Sequence, residues 1–269
     1  DAMRYYLFAS LVLVAEKLNF FEEGVRDSMR KVIMILWNIY KFYAMYEHVG
    51  EVKSGECSMP ECENILDKWI LARLNILIKE VSEGMNNYNI PKAVRPIESF
   101  INDFSTWYLR RSRERFKGEN EADKKLALQM TKYVLTQLAK AMAPFMPFMA
   151  ETIWQKATGY DFKDKNKSVH LTDWPLYDDP MEAEDMQILK HMAEVRKIVE
   201  LGLAERDKAG IKVRQTLQKF SIFNFQFSIN ENYLNLIKDE LNIREVVVNK
   251  GKGELKVELD TVLTDELKL

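Results

Sequence analysis

Between residues 22 and 48 the apolar positions Val25, Met29, Val32, Leu36, Ile39 and Tyr43 recur at alternating steps of four and three. That spacing gathers side chains on one stripe of an α-helix. A second apolar line, Ile33, Trp37, Tyr40 and Ala44, runs beside the first, so the pattern predicts a long helix covered over a broad arc inside a bundle. Residues 49–60, with two glycines and a proline, end it. A second helix is predicted over 63–88, burying Leu66, Ile70, Leu74, Leu77, Val81 and Met85. Asn89-Ile90-Pro91 then restarts the chain, with Asn89 as cap and Pro91 early enough that its missing N–H is not needed. This third helix runs to about Phe116, and Pro96 is expected to bend it slightly.

Asn120 is placed to cap a fourth helix carrying Ala127, Met130, Val134, Leu138 and Met142, which stops at Pro144-Phe145-Met146-Pro147 before a short helix to Gln155. Residues 159–180 read as an ordered polar loop in which Val169, Leu171 and Trp174 alternate as a short extended piece would. A fifth long helix, 182–209, closes at Gly210, which suits the left-handed position past a helix end. The pattern then changes. Residues 217–227 read as a strand, 230–241 as a short helix, and 244–249 with 254–259 as a hairpin turned through Lys250-Gly251-Lys252-Gly253. The fold expected is mainly α: an antiparallel helical bundle with a small C-terminal α/β appendage. Its expected divisions are a leading segment 1–18, a bundle 19–210 and an appendage 211–269.

Composition narrows the function classes. The 269 residues are 47% hydrophobic and 11% aromatic, enough for a packed core. Charged residues make up 30%, yet 39 Lys+Arg nearly cancel 41 Asp+Glu, so any nucleic-acid contact must come from local basic patches. No run approaches the roughly eighteen unbroken apolar residues of a membrane-spanning helix; the richest, 32–46, is interrupted by Asn38 and Lys41. Neither a membrane partner nor a secretory leader is expected, and two cysteines fit a reducing, cytoplasmic setting.

Candidate chemistry concentrates in Phe104-Ser105-Thr106-Trp107-Tyr108-Leu109-Arg110-Arg111-Ser112-Arg113-Glu114-Arg115-Phe116. At about 100° per residue, Ile97, Phe104, Tyr108, Arg111 and Arg115 share one face while Arg110 and Arg113 lie on the flank. Guanidiniums beside aromatic rings suit single-stranded RNA, whose phosphates accept Arg forks and whose unstacked bases accept stacking, with Trp107 the stacking candidate. The same arginines also fit a structural account, complementing a helix C-terminus and pairing with neighbouring carboxylates. A second basic cluster, Arg206, Lys208, Lys212 and Arg214, sits at the junction after the fifth helix, where a solvated surface is the competing explanation. Asn38 and Lys41 form a polar pair within an otherwise apolar stretch, Asn38 also being readable as a satisfied core amide. Cys57-x4-Cys62 leaves a tetrahedral metal site half filled. His48, His170 and His191 have no recognisable catalytic partner, and no Gly-rich phosphate loop is present.

Several strings taken together resemble one family. Asp1-Ala2-Met3-Arg4-Tyr5-Tyr6-Leu7, Asn19-Phe20-Phe21-Glu22-Glu23-Gly24-Val25-Arg26, Leu36-Trp37-Asn38-Ile39-Tyr40, Leu66-Asp67-Lys68-Trp69-Ile70-Leu71, Met142-Ala143-Pro144-Phe145-Met146-Pro147-Phe148 and Ser168-Val169-His170-Leu171-Thr172-Asp173-Trp174-Pro175 occur in the order found in class I aminoacyl-tRNA synthetases. Trp107-Tyr108-Leu109-Arg110-Arg111-Ser112-Arg113 and Gly210-Ile211-Lys212-Val213-Arg214-Gln215 are similar to the isoleucyl family, whereas other elements resemble the valyl and leucyl families as well. The resemblance implies an anticodon-binding domain that recognises tRNA(Ile) and works beside the catalytic domain of the same chain. The residues expected to touch tRNA are Trp107, Arg110, Arg111, Arg113, Arg115, Asn38, Lys41, Arg206, Lys212 and Arg214. The family's ATP-handling signatures and editing insertion have no counterpart in these residues, so no cofactor is expected here; ATP and magnesium belong to the catalytic domain. The opening residues resemble the interior of a longer protein, and this piece is expected to be inactive alone. Two alternatives stay open: a helical protein-interaction scaffold, or the same domain of a valyl or leucyl enzyme.

Overall fold

Three of the long helices start where an asparagine accepts from a backbone N–H of the first turn: Asn64 from Leu66, Asn89 from Lys92 and Asn120 from Asp123. Each bond satisfies a donor that the helix itself leaves unpaired. The computed structural model describes residues 1–14, 16–17, 19–47, 54–164, 166–225, 230–251 and 253–260. His48, Lys252 and the last two residues of the expected strand, 226 and 227, lie outside them.

The chain divides into two compact units, Asp1–Glu182 and Ala183–Leu269. The first is helical: α1 (Ala2–Ala9), α2 (Glu22–Ser28), α3 (Ile35–Ala44), α4 (Ile65–Asn86), α5 (Ile90–Asp103), α6 (Arg113–Lys117), α7 (Glu121–Met142) and α8 (Pro147–Thr158). Its core is built around Trp69, Phe100, Phe104, Tyr108 and Trp154, none more than 1% exposed. Packing of α4 on α5 and of α7 on α8 supplies its largest contacts. Gly84 allows the first: a Cβ there would sit 2.6 Å from the Ala93 backbone nitrogen. Loop 159–180 is tied to α4 by a hydrogen bond from the Trp174 indole to Ser82 Oγ (2.8 Å) and by the Lys79–Asp179 ion pair (2.7 Å).

Two π-helical segments interrupt the regular helices, Met29–Met34 between α2 and α3 and Phe104–Leu109 after α5. A π turn holds more residues than an α turn, so it rotates the helix on its N-terminal side relative to the helix on its C-terminal side. Consequently Met29, expected on the buried stripe, is 44% exposed and Ser28 is buried in its place, while Val32, Leu36, Ile39 and Tyr43 keep theirs. Asn38 is exposed, which removes its reading as a core amide. Val169–Leu171 is a 3-10 turn rather than an extended piece, and its Leu171 is exposed.

The second unit holds α9 (Ala183–Lys208), β1 (Leu217–Phe225), α10 (Glu231–Leu241), β2 (Ile243–Lys250) and β3 (Lys256–Leu259). Gly210 takes the left-handed conformation, φ 69°, just beyond α9. The hydrophobic pattern groups this helix with the bundle, but it packs on α10 and β3. Gly202 explains the fit: a Cβ there would meet the Leu241 side chain at 2.5 Å. The sheet order is β2-β1-β3, so the expected β2–β3 hairpin does not form. β1 lies between them, parallel to β2 and antiparallel to β3. A parallel pair needs a crossover, and α10 supplies it. Gly251 and Gly253 instead lie beside Asn224 near the end of β1, and Asn224, at φ 61°, donates from its amide to the Glu254 carbonyl (2.9 Å).

Candidate nucleic-acid interface

The four arginines of residues 110–115 divide between inside and outside. Arg115 is internal. Its guanidinium forks onto Asp67, Nη1 to Oδ1 at 2.8 Å and Nη2 to Oδ2 at 2.9 Å, and its Nε and Nη2 reach Asp123 at 2.9 and 2.7 Å. The Tyr108 hydroxyl also donates to Asp67 Oδ1 (2.8 Å). Burial opposes the charge of Arg115, but the two carboxylates outweigh it and raise its pKa; burial first, then Asp67, pushes Tyr108 well above the ordinary phenol range. Arg115 is therefore corrected from tRNA contact to a strut joining α4, α6 and α7. Arg111 is half-buried, as is Trp107.

Arg110 and Arg113 are exposed, as the helical spacing predicts for the flank. Arg110 Nε donates to the Thr106 carbonyl one turn back (2.8 Å). The Arg113 guanidinium carbon lies 5.8 Å from the Phe42 ring centroid, and Phe42 packs edge-on against Phe116 (5.2 Å) and beside Tyr46 (5.2 Å). This contact brings the end of α3 to α6, so two clusters some seventy residues apart in sequence meet on one surface of the bundle.

Further along the exposed side of α3 the arrangement repeats. Lys41 Nζ stands 5.7 Å from the Trp37 ring, and Lys156 Nζ, from α8, stands 6.0 Å from Trp37 and 5.8 Å from Tyr40. Trp37 and Tyr40 lie 5.3 Å apart. Among the described residues none of Lys41, Arg113 and Lys156 has a carboxylate partner. A cation held by a ring keeps its full charge and its hydrogen-bond donors, unlike one consumed by an ion pair. The surface thus offers fixed cations beside aromatic faces, the combination that grips a phosphate backbone and stacks bases. Trp37, Phe42 and Lys156 are not among the residues expected from the sequence to touch tRNA; Trp37 and Lys41, one turn apart on α3, are the local signal for this pairing, whereas Phe42 and Lys156 meet partners on other elements.

In the second unit Arg206 is 1% exposed and, like Arg115, is corrected to an internal role. Its Nη1 donates to the carbonyls of Lys212 (3.1 Å) and Gln215 (3.0 Å), and its Nη2 to those of Leu241 (2.5 Å) and Asn242 (3.1 Å). Desolvation lowers its pKa. The guanidinium caps the end of α10 and fastens the loop after α9. Lys212 and Arg214, on that loop, are exposed. Among the described residues no group of three or more His, Cys, Asp or Glu is placed to hold a metal ion, and no helix is long and apolar enough to cross a membrane.

Comparison with known proteins gives this surface a context. The family model described as the anticodon-binding domain of tRNA ligase matches residues 67–221. The chain is 39% identical over 250 residues to an isoleucine–tRNA ligase of Clostridium kluyveri, covering 93% of this chain and 24% of that protein. It is 41% identical over 248 residues to the isoleucine–tRNA ligase of Clostridium novyi, covering 91% and 23%. It thus spans about a quarter of the length of the curated relatives it matches. Among solved structures, a ternary LeuRS–tRNA–LeuAMS complex of Agrobacterium radiobacter K84 aligns at TM-score 0.47 and 20% identity, over 67% of this chain and 20% of that one. With the family match over residues 67–221, more than half of its length, the chain belongs to the family of anticodon-binding domains of tRNA ligases.

Proposed function

We propose that this chain is the tRNA-reading arm of an isoleucine–tRNA ligase and holds the anticodon stem and loop of tRNA(Ile) on the surface formed by α3, α6 and α8. The observation that carries the reading is the pairing of Lys41 and Lys156 with Trp37, and of Arg113 with Phe42, in a member of the anticodon-binding family. Cations set the backbone path while the rings accept splayed bases, and in the intact enzyme that remote binding energy positions the acceptor end of the tRNA. Arg110 and Trp107 extend the surface, and Lys212 and Arg214 offer further phosphate contacts on the second unit.

The reaction itself, joining isoleucine to tRNA with ATP and magnesium, belongs in this reading to a catalytic domain of the same protein, working in the cytoplasm. The exposed apolar side chains Leu11, Val12, Leu13, Phe20 and Phe21, each at least 40% exposed, are where that domain would dock.

The test is tRNA binding across a salt series. Arg113→Ala and Lys41→Ala should each weaken binding and reduce the salt slope by about 1, and Trp37→Ala should weaken it by about 1–3 kcal/mol with the slope unchanged. Unchanged affinity and slope in all three variants would refute the surface. Failure of the folded wild-type chain to bind any tRNA would instead favour a protein-interaction scaffold.

A further inference from the structure

Apart from the α3 surface, the first unit contains a polar cavity of about 280 Å³ between the end of α7, α8 and the loop after α8. Its wall includes Glu56, Lys140, Trp154, Lys167, Thr172 and Asp173. Trp154 is 1% exposed, and among the described residues its indole N–H is buried with no hydrogen-bond partner. Such a group is uncommon in folded proteins and asks for an acceptor.

The rest of the wall supplies donors on the same side of the balance. Lys140, its side chain only 12% exposed, spends one proton on Glu56 (2.6 Å) and has two left. Lys167 holds its ammonium 4.9 Å from the Tyr160 ring, and that ring lies 5.2 Å from Trp154. Among the described residues Lys167 has no carboxylate partner. The Thr172 hydroxyl donates to the Val169 carbonyl (2.7 Å) and the Ser168 hydroxyl to Glu151 (2.8 Å); neither oxygen accepts from the indole. Two lysines against Glu56 and Asp173 leave the wall near neutrality, which favours a ligand of low charge. A single water, with a share of about 30 Å³, would satisfy the indole but use little of the cavity.

We propose that this cavity is an oxyanion site, in which Trp154 Nε1–H and the Lys140 ammonium each donate to an oxygen of one phosphate or carboxylate group and Lys167 closes over it. The group has two available sources: a small free anion, or a backbone phosphate of the bound RNA. Only the second rests on the function proposed above.

The experiment tracks the indole N–H resonances of the chain labelled with ¹⁵N at its five tryptophans. Trp154→Phe assigns the relevant signal, and circular dichroism checks the fold of each variant. Inorganic phosphate and acetate are titrated separately at constant ionic strength. The Trp154 signal alone should move downfield and saturate at millimolar anion, and Lys140→Gln should weaken the response about tenfold. Lys167→Gln, a change at the outer edge of the cavity, should weaken it several-fold.

Absence of a shift, equal shifts at all five indoles, or a response unchanged in both lysine variants would overturn the site. A further titration with unlabelled tRNA separates the sources. If tRNA moves the same signal and phosphate competes, the source is the RNA backbone; if free anions move it and tRNA does not, the source is a small anion. Loss of tRNA binding in a gel shift, with the anion response intact, would sink the tRNA reading and leave the oxyanion site standing.

Discussion

Replacing Arg115 with Met removes both forks and leaves the Asp67 carboxylate, only 3% exposed, with the Tyr108 hydroxyl as its remaining partner. Breaking a buried ion pair from one side costs about 3–5 kcal/mol, because the surviving charge stays desolvated. The lower end applies here: the Asp123 arm of the network is 38% exposed and contributes at most about 1 kcal/mol. The expected loss is therefore about 3 kcal/mol for Arg115→Met. It should be under about 1 for Asp123→Asn, and the double variant Asp67→Asn/Arg115→Met should recover about 2. All five tryptophans, Trp37, Trp69, Trp107, Trp154 and Trp174, fall in the first unit, so intrinsic fluorescence during denaturation reports that unit alone. Arg115→Met should lower the denaturation midpoint with an unchanged m value, equivalent to about 6–12 °C in melting temperature for a unit of this size. Below its transition the variant should keep the wild-type salt slope for tRNA. An unchanged midpoint, or a slope reduced by about one, would show that Arg115 is a phosphate contact and not a strut.

Gly84→Ala should destabilise the same fluorescence transition by about 1–3 kcal/mol, because the new methyl meets Ala93 backbone and not a side chain that can swing away. Arg206→Met should lower the stability of the second unit by about 2–3 kcal/mol by leaving four carbonyls without their shared donor. Since that unit has no tryptophan, amide hydrogen exchange in α10 and β2 is the readout, and unchanged protection there would refute the capping role. Burial holds Tyr5 and Tyr43 above the ordinary phenol range, and burial with Asp67 does the same for Tyr108. Above about pH 10 the unfolded chain loses phenolic protons that the folded first unit keeps, so the folded state binds more protons and its stability falls as pH rises. Fluorescence midpoints should be level with respect to these groups below about pH 10 and drop above it; a midpoint that rises with alkali would contradict the burial of these hydroxyls.

What is legible in the sequence is local. Asn89 and Asn120 cap helices because their amides reach the first turn whatever surrounds them, and Gly210 turns left-handed because no Cβ opposes it. The spacing of residues 97–116 places Arg110 and Arg113 outward and Tyr108 inward for the same reason. The errors come from partners distant in sequence. Arg113 and Arg115 carry the same side chain, and what separates them is Asp67, 48 residues from Arg115, and Phe42. Lys250-Gly251-Lys252-Gly253 satisfies every local rule for a hairpin, yet β1 takes the place between its arms. The apolar line containing Trp37 reads as core because hydropathy does not record that its outer edge meets Lys156 from α8. The π segments leave no mark in the periodicity, since a single extra residue in a turn shifts a stripe without erasing it.

In the function proposed above, the cation and aromatic surface of α3, α6 and α8 reads the anticodon arm of tRNA(Ile). Its most direct test is a binding titration of the chain with a tRNA(Ile) transcript, the same transcript with its anticodon replaced, and both repeated with Arg113→Ala. Binding should be tighter to the native anticodon, with Arg113→Ala weakening both transcripts in proportion because a phosphate contact carries no sequence information. Equal affinity for the two anticodons with no effect of Arg113→Ala would contradict it.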